Sequence, residues 1–375
     1  MTQPDHRVHG LAADEVSPDW PPMTEQELAR LLEHYPRLGA PKSIHWHSPR
    51  PLSAAALVDT RAGRIFVKRH HATVRSTAML ETEHALMARL REDGMPVPTV
   101  HADADRHTAV TLGEWTYEVH APAEGVDIYR DTPSWSPPRE PAHARAAGAM
   151  LARLHDAASG HEAASRPTHL LVARSELIEA SDPVAALEAQ LGERPGLAAY
   201  LRQRDWRREL GETLSPFHAS VQPRLAAQPR LWTHGDWHVS NLCWSDAGAH
   251  ARVTAVLDFG LAARTFALYD LATAIERNAI AWLDAGEDIA HPQIALALID
   301  GYRAHRPLGA DHLQLLAGLL PLVHVDFALS EVEYFTAITH SQSNADVAWN
   351  TFLRGHAAWF QSKFGQTLLE TIRHA

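Results

Sequence analysis

Three side chains with oxygen atoms to offer stand in one stretch: Asp236, Asn241 five positions later, and Asp258. Between them, Leu242 to Trp244 and Arg252 to Leu257 read as two short strands joined by the turn residues Ser245-Asp246-Ala247-Gly248. A hairpin brings its two ends together, so Asn241 and Asp258 are expected side by side. A carboxylate and an amide oxygen at one point make a hard-oxygen site suited to Mg²⁺. Asp236, one loop away, is free to receive the proton of an attacking hydroxyl. Phosphoryl transfer needs these parts: a metal to bridge phosphates, a base or positioner, and a frame that aligns them.

His234-Gly235-Asp236-Trp237-His238-Val239-Ser240-Asn241 and Asp258-Phe259-Gly260 follow the order of the protein-kinase catalytic loop, H-R-D-x-x-x-x-N, and its D-F-G segment. Gly235 replaces the arginine, and His238 stands where protein kinases usually carry lysine. H-G-D-x-H-x-x-N resembles the aminoglycoside phosphotransferase and choline/homoserine kinase superfamily, over roughly residues 40–340. The resemblance implies an α+β, bilobal protein-kinase-like fold. A small N-lobe would hold an antiparallel sheet with one helix, and a larger C-lobe would be mainly helical. The implied enzyme moves the γ-phosphoryl group of ATP to a hydroxyl of a small molecule, with Mg²⁺ held by Asn241 and Asp258. Asp236 would align the acceptor and take its proton late, since a loose transition state demands little base strength. His234 reads as a brace for the loop. His238 either helps near the phosphates or packs. GTP as donor stays open.

The elements that must position these groups follow from patterning. Residues 1–23 are polar and proline-rich and read as a flexible arm. Thr24 and Glu27 form a capping box opening a helix to Tyr35. A nucleotide-binding N-lobe is expected over 24–120, with strands at 42–47, 53–60, 64–69, 108–112 and 115–120. Arg61-Ala62-Gly63 is a hairpin turn. The loop from Ser48 to Ser53 has no glycine, unlike the Gly-rich loop that covers the phosphates in kinases; Ser53 is the candidate to serve instead. Lys68 ends the apolar run Ile65-Phe66-Val67 and is one of three lysines beside 31 arginines. It matches the strand lysine that holds the nucleotide phosphates. A helix is expected over 73–92, with Met79, Glu83, Leu86 and Leu90 on one face. An acid on an apolar stripe is costly unless paired, and Lys68 is the expected partner of Glu83. By the resemblance, the backbone of Glu118, Val119 and His120 would hold adenine at the crossing into the C-lobe, residues 121–375.

The C-lobe carries the catalytic loop and, by the resemblance, the acceptor site. A core helix is expected over 142–155. The run Arg264 to Ala272 is helix-prone, and helices are expected near 266–284, 291–304 and 310–340. Asp270, in Tyr-Asp-Leu-Ala, either supports the catalytic loop from behind, as the family pattern implies, or is an acid favoured by the helix dipole. Asp326, Glu331 and Glu276 are the candidate acids for an amine-bearing acceptor such as an aminoglycoside, amino sugar or amino alcohol. Solvated helix faces are the plainer reading of each.

Composition narrows the classes. A net charge of −11 argues against nucleic acid as the main partner. No apolar run reaches membrane-spanning length, and no signal core opens the chain. The single cysteine, Cys243, permits no intramolecular disulfide and suits a reducing cytoplasm. The 26 histidines are scattered, and His70-His71 lacks a third ligand at metal spacing, so no zinc site is read. Two rivals stand beside the small-molecule kinase. A protein kinase would need an A-P-E segment, which is absent. A nucleotide-binding regulatory protein without turnover is supported by the glycine-free loop.

Overall fold

The structure is a computed structural model that describes residues 19–48, 50, 52–284 and 286–375. Its N-terminal half is built on a five-stranded antiparallel sheet: β1 (Pro41–His47), β2 (Ala54–Thr60), β3 (Arg64–His71), β4 (Ala109–Leu112) and β5 (Trp115–His120), in the order β1-β2-β3-β5-β4. The twofold period of a strand divides this sheet into two faces. Ala56, Val58, Ile65, Val67, Tyr117 and Val119 pack with Leu28 and Leu31 of helix α1 (Glu25–Leu32) in one apolar cluster. The alternate residues, among them Phe66, Lys68, Glu118 and His120, face a large cavity.

The capping box forms as expected: Thr24 Oγ1 accepts from Glu27 N at 3.2 Å, and Glu27 Oε2 from Thr24 N at 3.3 Å. Glu27 Oε1 also accepts from Arg69 and from Tyr117 Oη, both at 2.7 Å, which ties the cap to the sheet. Part of the expected flexible arm packs against the sheet, although Pro21 and Pro22 are exposed. Trp20 stacks on His71 with ring centroids 5.3 Å apart, and Met23 is buried. Residues 1–18 of that arm lie outside the described residues. Helix α2 (Thr77–Glu92) starts four residues later than expected, because Ser76 caps it by accepting from Met79 N. Leu86, Met87 and Leu90 join the larger apolar core.

That core belongs to the helical half. Helix α3 (Pro141–Ala157) packs so closely on the helix Pro292–Arg303 that a Cβ at Gly148 would collide with Leu298 O and one at Gly301 with Arg145 O. Two small antiparallel pairs lie beside these helices: β6 (Arg230–Thr233) with β9 (Ala263–Phe266), and β7 (Leu242–Trp244) with β8 (Val253–Val256). The expected helix at 264–266 is therefore a strand. Arg264, Thr265 and Phe266 satisfy their backbone on β6, with Thr233 and Thr265 hydroxyls 2.7 Å apart, and the helix begins at Ala267. The expected 310–340 helix is two, Ala310–Leu319 and Val325–Ala337. Cys243 is buried in β7, where burial pushes its thiol up to about 12. No helix among the described residues is long and apolar enough to cross a membrane.

The Gly148 contact gives a direct test of helix packing. Alanine in a helix interior gains about 1 kcal/mol over glycine from propensity, while overpacking costs about 1–3 kcal/mol or more. Gly148→Ala is expected to lower the urea unfolding midpoint, so the clash outweighs the propensity; an unchanged or raised midpoint would contradict the close approach.

Candidate active site

The loop 234–241 joins β6 to β7, and the turn 257–262 joins β8 to β9. Gly235 has φ +76, and a Cβ there would sit 2.6 Å from Leu261 O, so both conformation and space call for glycine. The helix Ala267–Ala279 grips this loop at two points. Asp270 accepts from His234 N at 2.9 Å, from Gly235 N at 2.8 Å and from His155 Nε2 at 3.0 Å. Burial opposes its ionisation, yet His155, His234 and the Gly235 N–H hold its carboxyl below the ordinary value. One turn pair further, Asn278 Oδ1 accepts from Val239 N at 3.0 Å and Asn278 Nδ2 donates to Trp237 O at 2.9 Å. Asp270 thus reaches the loop backbone rather than serving as a dipole-favoured acid alone. Asn278 was missed in the sequence. The available signal was its i+8 spacing from Asp270, which puts the two on one face of a largely apolar helix.

His234 Nε2 donates to Leu257 O at 2.8 Å and Nδ1 accepts from Asp236 N at 3.2 Å, which fixes its tautomer. Burial holds its pKa below the usual imidazole value. Asp236 accepts from Asn241 Nδ2 at 3.1 Å and from Trp135 Nε1 at 3.4 Å, and it forms an ion pair with Arg277. Arg277 lies between the Trp135 and Phe327 rings, 4.6 and 5.1 Å from their centroids. Its i+7 spacing from Asp270 was the overlooked signal for this second cation–carboxylate contact. Asn241 spends its amide nitrogen on Asp236, leaving Oδ1 as the remaining acceptor. The hairpin expectation holds, since Leu257 N donates to Asn241 O at 2.9 Å. His238 is buried, with Nδ1 2.6 Å from Ser240 Oγ; burial, aided by Arg50, pushes it down to about 3. It is neutral near pH 7.

Asp258 sits at φ +55, a conformation that costs a side-chain-bearing residue about 1 kcal/mol or more. Its Oδ1 accepts from Lys68 Nζ at 2.7 Å and from Gly260 N at 3.2 Å. Burial disfavours its charge, but Lys68 and the Gly260 N–H outweigh burial and hold its carboxyl well below the usual range. Lys68 therefore pairs with Asp258, not with Glu83 as expected. Glu83 is buried and accepts from Arg166 at 3.0 Å. Arg166 also donates to Gly260 O at 2.8 Å and Ala262 O at 2.5 Å, and Arg75 donates to Gly260 O at 3.0 Å. The guanidinium fork satisfies Glu83 and the 257–262 turn together, which the Lys68 ammonium on β3 does not.

These groups open onto one cavity of about 540 Å³. Lys68, Asp236, His238, Asn241 and Asp258 line it, as does Ser53 from the glycine-free loop. Arg50, from the same loop, also lines it and bonds Ser134; sequence reasoning looked there for glycine and overlooked the charge. Residues 118–120, expected to hold adenine through their backbone, end strand β5. Val119 O accepts from His101 N at 2.7 Å, and Glu118 is paired with both β3 and β4, so this backbone is used within the sheet. Ala121, Pro122 and Ala123 line the cavity beyond it. The Glu118 side chain instead meets three imidazoles, His70, His84 and His120.

Of the candidate acceptor acids, Glu331 alone lines the cavity, near Asp19, Phe327 and Phe335. Burial raises its carboxyl to about 8 against the pull of Arg277. Asp326 is buried 3.9 Å from Arg194 and outside the cavity lining. Glu276 is buried 3.2 Å from His356 Nδ1, also outside it. Their helices are apolar around most of the circumference, so an acid on them turns inward to a local partner.

A family model described as the phosphotransferase enzyme family matches residues 52–308. The homoserine kinase of Gluconobacter oxydans (strain 621H) is 29% identical over 187 residues, 49% of this chain and 51% of that protein. This chain thus spans about half the length of that relative. The homoserine kinase of Phenylobacterium zucineum (strain HLK1) is 26% identical over 298 residues, 76% of this chain and 78% of that protein. The solved structure of amicoumacin kinase hAmiN in complex with AMP-PNP, Ca²⁺ and Ami covers 90% of this chain and 96% of its own, with a TM-score of 0.57 at 14% identity. At that identity the likeness is one of fold.

The Asp270 contacts predict a pH-dependent stability. A carboxyl held below its ordinary 3.8 adds stability that is complete above 3.8 and is lost as pH falls through the folded value. Asp270→Asn turns one acceptor into a donor facing a backbone N–H, at about 1–3 kcal/mol. Urea titrations should show that deficit at pH 6 and a narrowing gap to wild type toward pH 3.8 and below.

Proposed function

The chain belongs to the phosphotransferase enzyme family, and on that premise we propose that it transfers the γ-phosphoryl group of ATP to a hydroxyl of a small, amine-bearing molecule. The observation that carries this reading is that Lys68, Asp236, Asn241 and Asp258 line one cavity. Asp236 aligns the acceptor hydroxyl and takes its proton as the bond to phosphorus forms. Arg277 is a positioning residue that fixes the Asp236 carboxylate from behind. Lys68 and Arg50 hold phosphate oxygens. Arg50 supplies by charge what the backbone of a Gly-rich loop supplies elsewhere.

Asn241 Oδ1 and the Asp258 carboxylate are hard oxygen donors, and that donor set fits Mg²⁺. Asn241 and Asp258 would hold such an ion, which would supply positive charge to offset that of the transferring phosphates. Lys68 now occupies Asp258 Oδ1; a nucleotide phosphate gives its ammonium a second anion and releases part of that contact. His234, Asp270 and Asn278 hold the loop and touch no substrate. Most of the rate enhancement would then come from positioning and fixed charge.

The acceptor end is read from Glu331. Once ionised, the Glu331 carboxylate beside aromatic rings is suited to an ammonium, which then gains both the charge and the rings. Homoserine and other amino alcohols, amino sugars and aminoglycosides all carry that group beside a hydroxyl.

The test is nucleotide consumption by the purified protein with Mg²⁺, ATP or GTP, and a panel of such acceptors, choline and plain sugars. Turnover with an amine-bearing acceptor, lost by at least a hundredfold in Asp236→Asn, is expected. Nucleotide binding without turnover on the whole panel would favour a regulatory protein, and no nucleotide binding at all would overturn the reading. Arg50→Gln should raise the KM for nucleotide severalfold with a smaller effect on the acceptor KM. The KM for an amine-bearing acceptor should fall as pH rises through about 8, as Glu331 ionises, and Glu331→Gln should flatten that profile.

A further inference from the structure

The deepest polar cluster of the small sheet lies outside the phosphoryl-transfer groups. Glu118 and His120 share a face of β5 at i, i+2. Lys68 stands opposite Glu118 in the β3 register, and His70 two residues on extends the same face of β3. Helix α2 lays His84 over them. Glu118 Oε2 is 2.8 Å from His84 Nε2 and 2.8 Å from His120 Nε2, while Oε1 is 2.9 Å from His70 Nε2. All four residues are buried.

We propose that His84, Glu118 and His120 form a binding site for one divalent cation of the zinc type, separate from the oxygen site at Asn241 and Asp258. One ligand atom from each of the three lies within 4.8 Å of the others. Ligands of a tetrahedral ion with bonds of about 2.0–2.2 Å stand roughly 3.3–3.5 Å apart, so the three ligand atoms already stand near the spacing such an ion needs. Two imidazoles and a carboxylate are a donor set for Zn²⁺ and its borderline neighbours, whereas Mg²⁺ takes oxygen.

The surroundings are those of a held ligand set. Thr108 Oγ1 lies 2.9 Å from His84 Nδ1, so the hydroxyl orients the ring and turns Nε2 inward. His70 engages the outer carboxylate oxygen, leaving Oε2 to the two ligand imidazoles. Glu118 and His120 line the cavity, which gives an ion a route in and leaves a fourth coordination position for water or a ligand. Glu118 is among the charges that favour the Lys68 ammonium, so an ion here would alter the charge felt by the phosphate-binding lysine.

The experiment is a Co²⁺ and Zn²⁺ titration of the full chain without nucleotide, independent of any turnover. One equivalent of Co²⁺ should give the intense visible absorption of a four-coordinate, imidazole-bound ion, and Zn²⁺ should displace it. Asp258→Asn should keep that signal. His84→Gln and His120→Gln should abolish it with far-ultraviolet circular dichroism unchanged. His70→Gln, which touches only the outer oxygen, should weaken binding by about 10–100-fold. A weak six-coordinate cobalt spectrum in the wild-type protein would overturn the proposal without recourse to any variant. So would binding that survives both ligand substitutions, or that disappears in Asp258→Asn.

Discussion

A single buried carboxylate fixes the geometry on which the cavity depends. Asp270 is wholly removed from water, so its oxygens must find donors inside the protein. They find two consecutive backbone N–H groups, of His234 and Gly235, and the imidazole of His155. His155 in turn meets Tyr302 Oη at 2.9 Å. The chain of contacts runs from the loop, through the helix Ala267–Ala279 and α3, to the helix Pro292–Arg303. Two glycines let those last two helices approach until backbone meets side-chain space. The loop is therefore anchored to the most tightly packed part of the molecule, and Asp236 inherits its position.

The second constraint is charge. The cavity gathers Lys68, Arg50 and Arg75 on one side of Asp258, and Arg277 behind Asp236. Taking such groups out of water costs several kcal/mol each, and pairing must offset it. Burial lowers Arg75 and Arg277 to about 9, the direction expected of cations taken out of water. Carbonyl oxygens of residues 260 and 262 and the Glu83 carboxylate take up Arg75 and Arg166. The same contacts pin the turn that presents Asp258 in its left-handed conformation.

What the sequence disclosed, and what it withheld, follows from the range of each interaction. The five strands, the capping box and the β7–β8 hairpin are set by neighbours a few residues apart, and their patterns were legible. The loop motif was legible because spacing alone carries it. The strand at 263–266 was not, because its partner is β6, some thirty residues earlier, and nothing local favours strand over helix there. Glu83 was placed on the right face and given the wrong partner, since Arg166 comes from a polar loop whose path the sequence does not describe. Asp326 and Glu276 were misassigned because their helices are apolar nearly all round, so the face toward the cavity cannot be told from the face toward Arg194 or His356. Residues 118–120 were considered for their backbone, and their side chains proved the more distinctive feature.

The cavity wall has two origins. Lys68, Asp236, Asn241 and Asp258 fall within the matched span 52–308. Phe327, Glu331, Phe335, Asn344 and Ala348 fall beyond it, on the helix Val325–Ala337 and the segment leading into the π-helical turn Ala348–Gly355. On the proposed function, a compound confined to those four groups would touch only side chains inside the matched span. One that reaches Glu331 and the aromatic wall would also touch side chains outside that span. A chemical probe long enough to bridge the two parts would therefore report on side chains that the family match leaves out.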